Sequence, residues 1–163
     1  MKQLTIEAKT KNLCFVQNFI KSELEAVDCP KDTIFEVDFA VSEIFCNIAK
    51  YAYCHAEQES HNALNNQQKS NACDFTCDVL IRICVKDEVV IVFEDKGIPF
   101  NPLECKEPDI KSGLGKRKIG GLGIYTSKKM LDNKLRYRYE EGKNILTIRA
   151  QIENKQEMRC HDE

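Results

Sequence analysis

Val89-Val90-Ile91-Val92-Phe93-Glu94-Asp95-Lys96-Gly97-Ile98-Pro99-Phe100-Asn101-Pro102 decides how the rest of the chain is read. The β-branched and aromatic run from Val89 to Phe93 predicts a strand with Val89, Ile91 and Phe93 on its inward face. A second such run, residues 79–85, lies just before Lys86-Asp87-Glu88, so the two read as an antiparallel hairpin. Asp95 follows the strand at its end, and Gly97 lets the backbone turn sharply two residues later. A carboxylate placed there could accept a hydrogen bond from the exocyclic amine of a purine. The same residues also make an ordinary turn, because Asp, Gly, Pro and Asn favour turns.

Toward the amino terminus, residues 2–9 alternate around Leu4, Ile6 and Ala8 as a half-buried strand does. From Thr10 the period changes. Leu13, Val16, Phe19, Ile20, Leu24 and Val27 predict an amphipathic helix over roughly residues 10–27, with Thr10 as N-cap and Cys29-Pro30 as its stop. Pro30 can open a second helix, whose apolar face is Ile34, Val37, Val41, Ile44, Ile48 and Ala52 and which runs to about residue 53. At about 100° per residue, Asn47 lies about 40° from Glu43 and Lys50 about 20° from it on the other side, so one polar stripe carries all three. A carboxylate one turn from an amide oxygen suits a site where the amide holds a hard cation and the carboxylate orients or deprotonates a nucleophile. An ordinary solvated helix face has the same composition.

Toward the carboxyl terminus, six of the seven glycines fall between Lys96 and Ile124, which predicts a long flexible segment. Gly120-Gly121-Leu122-Gly123-Ile124 opens a third helix over residues 122–131. Backbone amides at such a start can wrap a polyphosphate, with the positive end of the helix dipole favouring the anion. Lys111, Lys116, Arg117 and Lys118 precede it, either to close on a phosphate or simply to be solvated. The spacing fits neither the Gly-x-x-x-x-Gly-Lys-Ser/Thr loop nor a dinucleotide fingerprint. Residues 135–139 and 145–152 read as a last strand pair. The order β, α, α, β, β, loop, α, β, β predicts an α+β fold with one mixed, mainly antiparallel sheet covered by helices on one face.

At 163 residues the chain suits one domain, expected over residues 1–153 with a polar insertion at 56–77 and a polar tail at 154–163. Lys+Arg 24 against Asp+Glu 26 gives a net charge of -2, which argues against a general nucleic-acid binder. No apolar run reaches the roughly 18 to 20 residues of a membrane span and the first residues do not build a signal peptide, so a cytoplasmic, membrane-free protein is expected. The nine cysteines are expected to be reduced, several of them inside apolar patterns. Cys54, His55, His61, Cys73 and Cys77 form a ligand set that suits zinc, but their spacing matches no familiar finger, and incidental cysteines in a loop are the expectation.

Glu43-x-x-x-Asn47, Asp95-x-Gly97-x-Pro99-Phe100-Asn101-Pro102 and Gly120-Gly121-Leu122-Gly123-Ile124, in this order, resemble the N, G1 and G2 boxes of the GHKL ATPases. Gly-Gly-Leu-Gly-Ile-Tyr followed by Met130-Leu131-Asp132 and a Gly142-Lys143-Asn144 strand pair looks most like the bacterial anti-sigma-factor serine/threonine kinases. The resemblance covers residues 4–152. It implies a two-layer α/β sandwich of the Bergerat type, with ATP and Mg²⁺ held under a mobile lid at 102–119. It implies Glu43 as catalytic base, Asn47 as Mg²⁺ ligand and Asp95 as acceptor for the adenine amine. Gly97 would form the G1 turn, and Gly120, Gly121, Leu122, Gly123 and Ile124 the phosphate-binding helix start. Lys50 stands where relatives often carry His and would face the phosphates. Asn144 stands where Thr is frequent and would be a second adenine contact. The implied activity is phosphorylation of a serine on a small anti-anti-sigma partner of the STAS fold, with sequestration of a sigma factor by a homodimer. Two rivals share these residues: a non-catalytic ATP-binding module that works by sequestration, and a sensor-kinase domain that acts on a histidine in trans.

Overall fold

The computed structural model describes residues 1–53, 77–104 and 122–152. Strand β1 (Lys2–Glu7) is followed by helices α1 (Leu13–Glu25) and α2 (Lys31–Asn47), and α2 runs into a π-helical turn, Ile48–Ala52. Strands β2 (Asp78–Val85) and β3 (Glu88–Asp95) form the expected hairpin, helix α3 (Leu122–Met130) follows, and β4 (Leu135–Glu140) and β5 (Lys143–Gln151) close the domain. The sheet order is β1-β2-β3-β5-β4. All four pairings are antiparallel, so the mixed sheet of the sequence reading narrows to an antiparallel one among the described strands.

Strand alternation puts Val79, Ile81 and Ile83 of β2, Val89, Ile91 and Phe93 of β3, and Leu146 and Ile148 of β5 under the helices. Val16, Ile20 and Leu24 of α1 and Val37, Val41, Ile44 and Phe45 of α2 complete the core from the other side. Each such side chain stabilises the fold by about 1.5 to 3 kcal/mol. The result is a two-layer α/β sandwich, as the sequence pattern predicts.

Local structure departs from expectation at three ends. Thr10 is not the cap of α1: it begins a short 3₁₀ turn, Thr10–Asn12, while Asn12 ties its Nδ2 to the Glu7 carbonyl at 2.9 Å. Val27 is 48% exposed and lies beyond the helix, because the chain has begun its turn toward Asp28, whose φ is 51°. The second helix does not stay α-helical to residue 53, since the π turn supervenes at Ile48. The β4–β5 turn is made by Glu141 and Gly142, both at positive φ, which is the two-residue geometry that suits the twist of a hairpin.

No helix among the described residues is long and apolar enough to cross a membrane. Residues 56–76 of the insertion, the lid beyond Glu104 and the tail lie outside the described residues, as do Cys54, His55, His61 and Cys73 of the candidate zinc set. Among the described residues no group of His, Cys, Asp or Glu is placed to hold a metal ion.

Candidate functional site

Between the helices and the end of the sheet lies an open cleft with a mostly apolar lining. Ile44, Ile48 and Ala52 wall it from α2 and the π turn, Ile124 from α3, Leu146 from β5, and Ile98, Phe100 and Pro102 from the segment after β3. Its polar members are Asn47, Tyr51, Asp95, Tyr137 and Asn144. Such a site buries a flat apolar ligand and leaves orientation to a few polar groups.

Asp95 is the last residue of β3, registers against Val79 of β2 and Asn144 of β5, and is 5% exposed. Its Oδ1 accepts from Asn144 Nδ2 at 2.8 Å and from the Gly97 amide at 2.9 Å. Among the described residues Oδ2 receives no hydrogen bond, and Asp95 lines the cleft. Burial pushes the Asp95 carboxyl above the usual aspartate range, against the pull of those two donors. An acceptor held on one side and open on the other is suited to read an amine.

The turn after β3 is stitched to the end of the second helical segment. Ile98 N–H donates to the Ala52 carbonyl at 2.9 Å, and a Cβ at position 97 would run into that same carbonyl and into the Ala52 Cβ. Gly97 is therefore required by close backbone approach. Tyr53 supports the turn from behind: its hydroxyl donates to the Asp78 carbonyl at 2.9 Å and accepts from Lys96 N–H at 3.2 Å. Burial is the main reason that its pKa is pushed up to about 12.

Glu43 lies on the flank of α2 that faces α3. A Cβ at position 123 would fall on the Glu43 carboxylate, so the first turn of α3 and this carboxylate are in contact only because residue 123 is glycine. Asn47 is one helical turn further on, at the cleft wall. Oxygen-bearing side chains of this kind could hold a hard divalent cation.

Of the residues singled out from the sequence, the structure thus brings Asn47, Asp95, Ile124 and Asn144 to the cleft and sets Glu43, Gly97 and Gly123 directly behind or beside its walls. Lys50 is exposed and Leu122 is 54% exposed, and neither is part of the wall. Gly120 and Gly121 lie outside the described residues. Tyr53 and Tyr137 went unremarked in the sequence, and Ile98 and Phe100 entered there only as members of the turn motif. Period-two placement of Tyr137 opposite Leu146 is the one signal that could have found any of them.

An antiparallel sheet with helices on one face, and at its end a cleft closed by a buried carboxylate, defines a sandwich of the Bergerat type. Residues 6–150 match the family model of the histidine kinase-like ATPase domain, and the chain belongs to that family. Domains of this family bind ATP, usually with Mg²⁺. The structure of the RsbU and RsbW domains of Rv1364c from Mycobacterium tuberculosis is similar, with a TM-score of 0.56 at 13% identity over 93% of this chain. This chain spans 32% of that one, and at such identity the likeness is one of fold. No curated protein sequence matches the chain.

Proposed function

We propose that the chain is an ATP-dependent protein serine/threonine kinase of the anti-sigma type. It phosphorylates a serine on a small STAS-type partner and, as a homodimer, sequesters a sigma factor. The observation that carries this reading is Glu43, a carboxylate lodged against the first turn of α3 and one helical turn from the cleft-lining Asn47. With the purine at Asp95, the phosphates lie toward that end of the site. Glu43 is then placed to take up the proton of an incoming serine hydroxyl, and Asn47 to hold Mg²⁺ through its amide oxygen. The cation supplies charge neutralisation on the triphosphate. Phosphoryl transfer needs alignment and such neutralisation more than covalent help, and side chains fixed on packed helices and strands supply alignment.

The test is incubation with γ-labelled ATP and a STAS-domain protein. Glu43→Ala is expected to lower the transfer rate by about 100-fold or more, the usual contribution of a general base, while ATP affinity stays near that of the wild type. Transfer by the variant at the wild-type rate removes Glu43 from its role. Nucleotide binding by the wild type without any transfer assigns the chain instead to the modules that only sequester. Acid-labile phosphate on the partner assigns it to histidine kinases.

A further inference from the structure

Asn144 is 6% exposed and every polar atom of its side chain is engaged by the protein. Its Nδ2 faces three acceptors, Asp95 Oδ1 at 2.8 Å, the Ile98 carbonyl at 3.0 Å and the Gly97 carbonyl at 3.3 Å. Its Oδ1 accepts from the Tyr137 hydroxyl at 2.7 Å and from Phe100 N–H at 3.2 Å. An amide oxygen has two lone pairs and an amide nitrogen two protons, so this surrounding allows one orientation. Turning the group over would set oxygen against three acceptors and nitrogen against the Phe100 N–H donor.

One residue therefore ties β3, β4, β5 and the turn over residues 97–100 together at the polar end of the cleft. Its donor side goes to Asp95 Oδ1, the oxygen that also accepts from the Gly97 amide, and neither side has capacity left for a ligand. We propose that Asn144, locked by Tyr137 and Phe100, is a positioning residue for the nucleotide base: it fixes the Asp95 carboxylate so that Oδ2 is the oxygen left for the base, and does not itself touch the base. This rests on the adenine-nucleotide reading of the site and gives Asn144 an indirect role in place of the second adenine contact expected at this position.

Binding geometry and proton affinity are coupled here. Ionised Asp95 accepts from an amine and the protonated acid does so poorly, so affinity falls as pH drops through the Asp95 pKa. The Asn144 donor favours the ionised form, and its loss moves that acid limb upward. Among the described residues, the titratable groups coupled to Asp95 are the hydroxyls of Tyr53 and Tyr137, both pushed up by burial and both neutral across the relevant range.

The experiment is titration with the fluorescent nucleotide N-methylanthraniloyl-ADP from neutral pH downward, as far as the wild type stays folded. Wild type is compared with Asp95→Asn, Asn144→Asp, Asn144→Thr and Tyr137→Phe, and thermal melts are recorded alongside. Asn144→Asp sets two carboxyl groups face to face, so its acid limb is expected to rise by about one pH unit or more, with affinity at neutral pH about tenfold lower. Asn144→Thr keeps a hydroxyl that can donate to Asp95 and brings the limb back toward the wild type. Tyr137→Phe removes one hydroxyl and shifts limb and affinity in the same direction by less, about threefold in affinity; it carries the test if Asn144→Asp does not fold. A residue that only supports the fold lowers the melting temperature and leaves the acid limb in place. Unshifted limbs in both Asn144→Asp and Tyr137→Phe, or in Tyr137→Phe alone if only that variant folds, overturn the positioning role when Asp95→Asn still loses affinity. No binding by the wild type, or full binding by Asp95→Asn, overturns the nucleotide reading, and this proposal with it.

Discussion

One peptide step separates Glu94 from Asp95, and the alternation of β3 sends them to opposite faces of the sheet. Glu94 meets Lys143 Nζ at 2.7 Å and Arg82 Nη2 at 2.5 Å on the face away from the helices, and the hydrogen bond from Lys143 leads in holding its carboxyl below the ordinary range. Its stabilisation is present above the ordinary carboxylate pKa and is lost as pH falls through the lowered one. Asp95 has no cation beside it among the hydrogen bonds described, and burial raises its carboxyl. The folded state thus holds the Asp95 proton more tightly than the unfolded chain, and folding pays for the ionised form at neutral pH. Asp95→Asn is therefore expected to weaken ATP binding by about 1.5 to 3 kcal/mol, the worth of a hydrogen bond to a charged group. Its melting temperature at neutral pH should equal or exceed that of the wild type. Calorimetry and a thermal scan check the two halves, and unchanged affinity refutes the placement of the base. Asp95 was legible in the sequence because its turn chemistry is packed into adjacent residues. The lock on Asn144 was not, since its partners lie at 95, 97, 98, 100 and 137 and meet only once strand register and the turn after β3 are in place.

At the level of elements, the helix and strand periods were readable and their ends were not. Apolar spacing of three and four carries α2 correctly as far as Asn47, but the π turn that follows shares the same apolar positions, Ile48 and Ala52, and leaves no separate mark in the pattern. Its effect is structural: the Ala52 carbonyl is turned toward Ile98, away from a helical partner. Gly97→Ala should therefore destabilise the domain by about 1 to 3 kcal/mol, because a backbone carbonyl cannot rotate aside as a flexible side chain can. Chemical denaturation measures it, and a variant of wild-type stability would mean that the turn and the helix end separate at little cost.

For the molecule as a whole, the antiparallel hairpins and the helix-covered face follow from the order of elements and from period-two patterning. The pairing of β1 with β2, across two intervening helices, and the return of β5 between β3 and β4 do not. Those choices rest on which apolar faces meet once the helices have docked, a property of the assembled core. The homodimer proposed above predicts a solution mass twice the 18.7 kDa of one chain by light scattering, and a monomeric mass at working concentration removes it. The Glu43–Gly123 contact bears on how such a chain can drift. Leu122 and Gly123 are adjacent codons in one helical turn, yet the first points half into solvent and the second abuts a carboxylate that any larger residue would dislodge. Tolerance to substitution changes abruptly between them, and a lineage that keeps the chemistry can rewrite one letter of the pair while the other stays frozen.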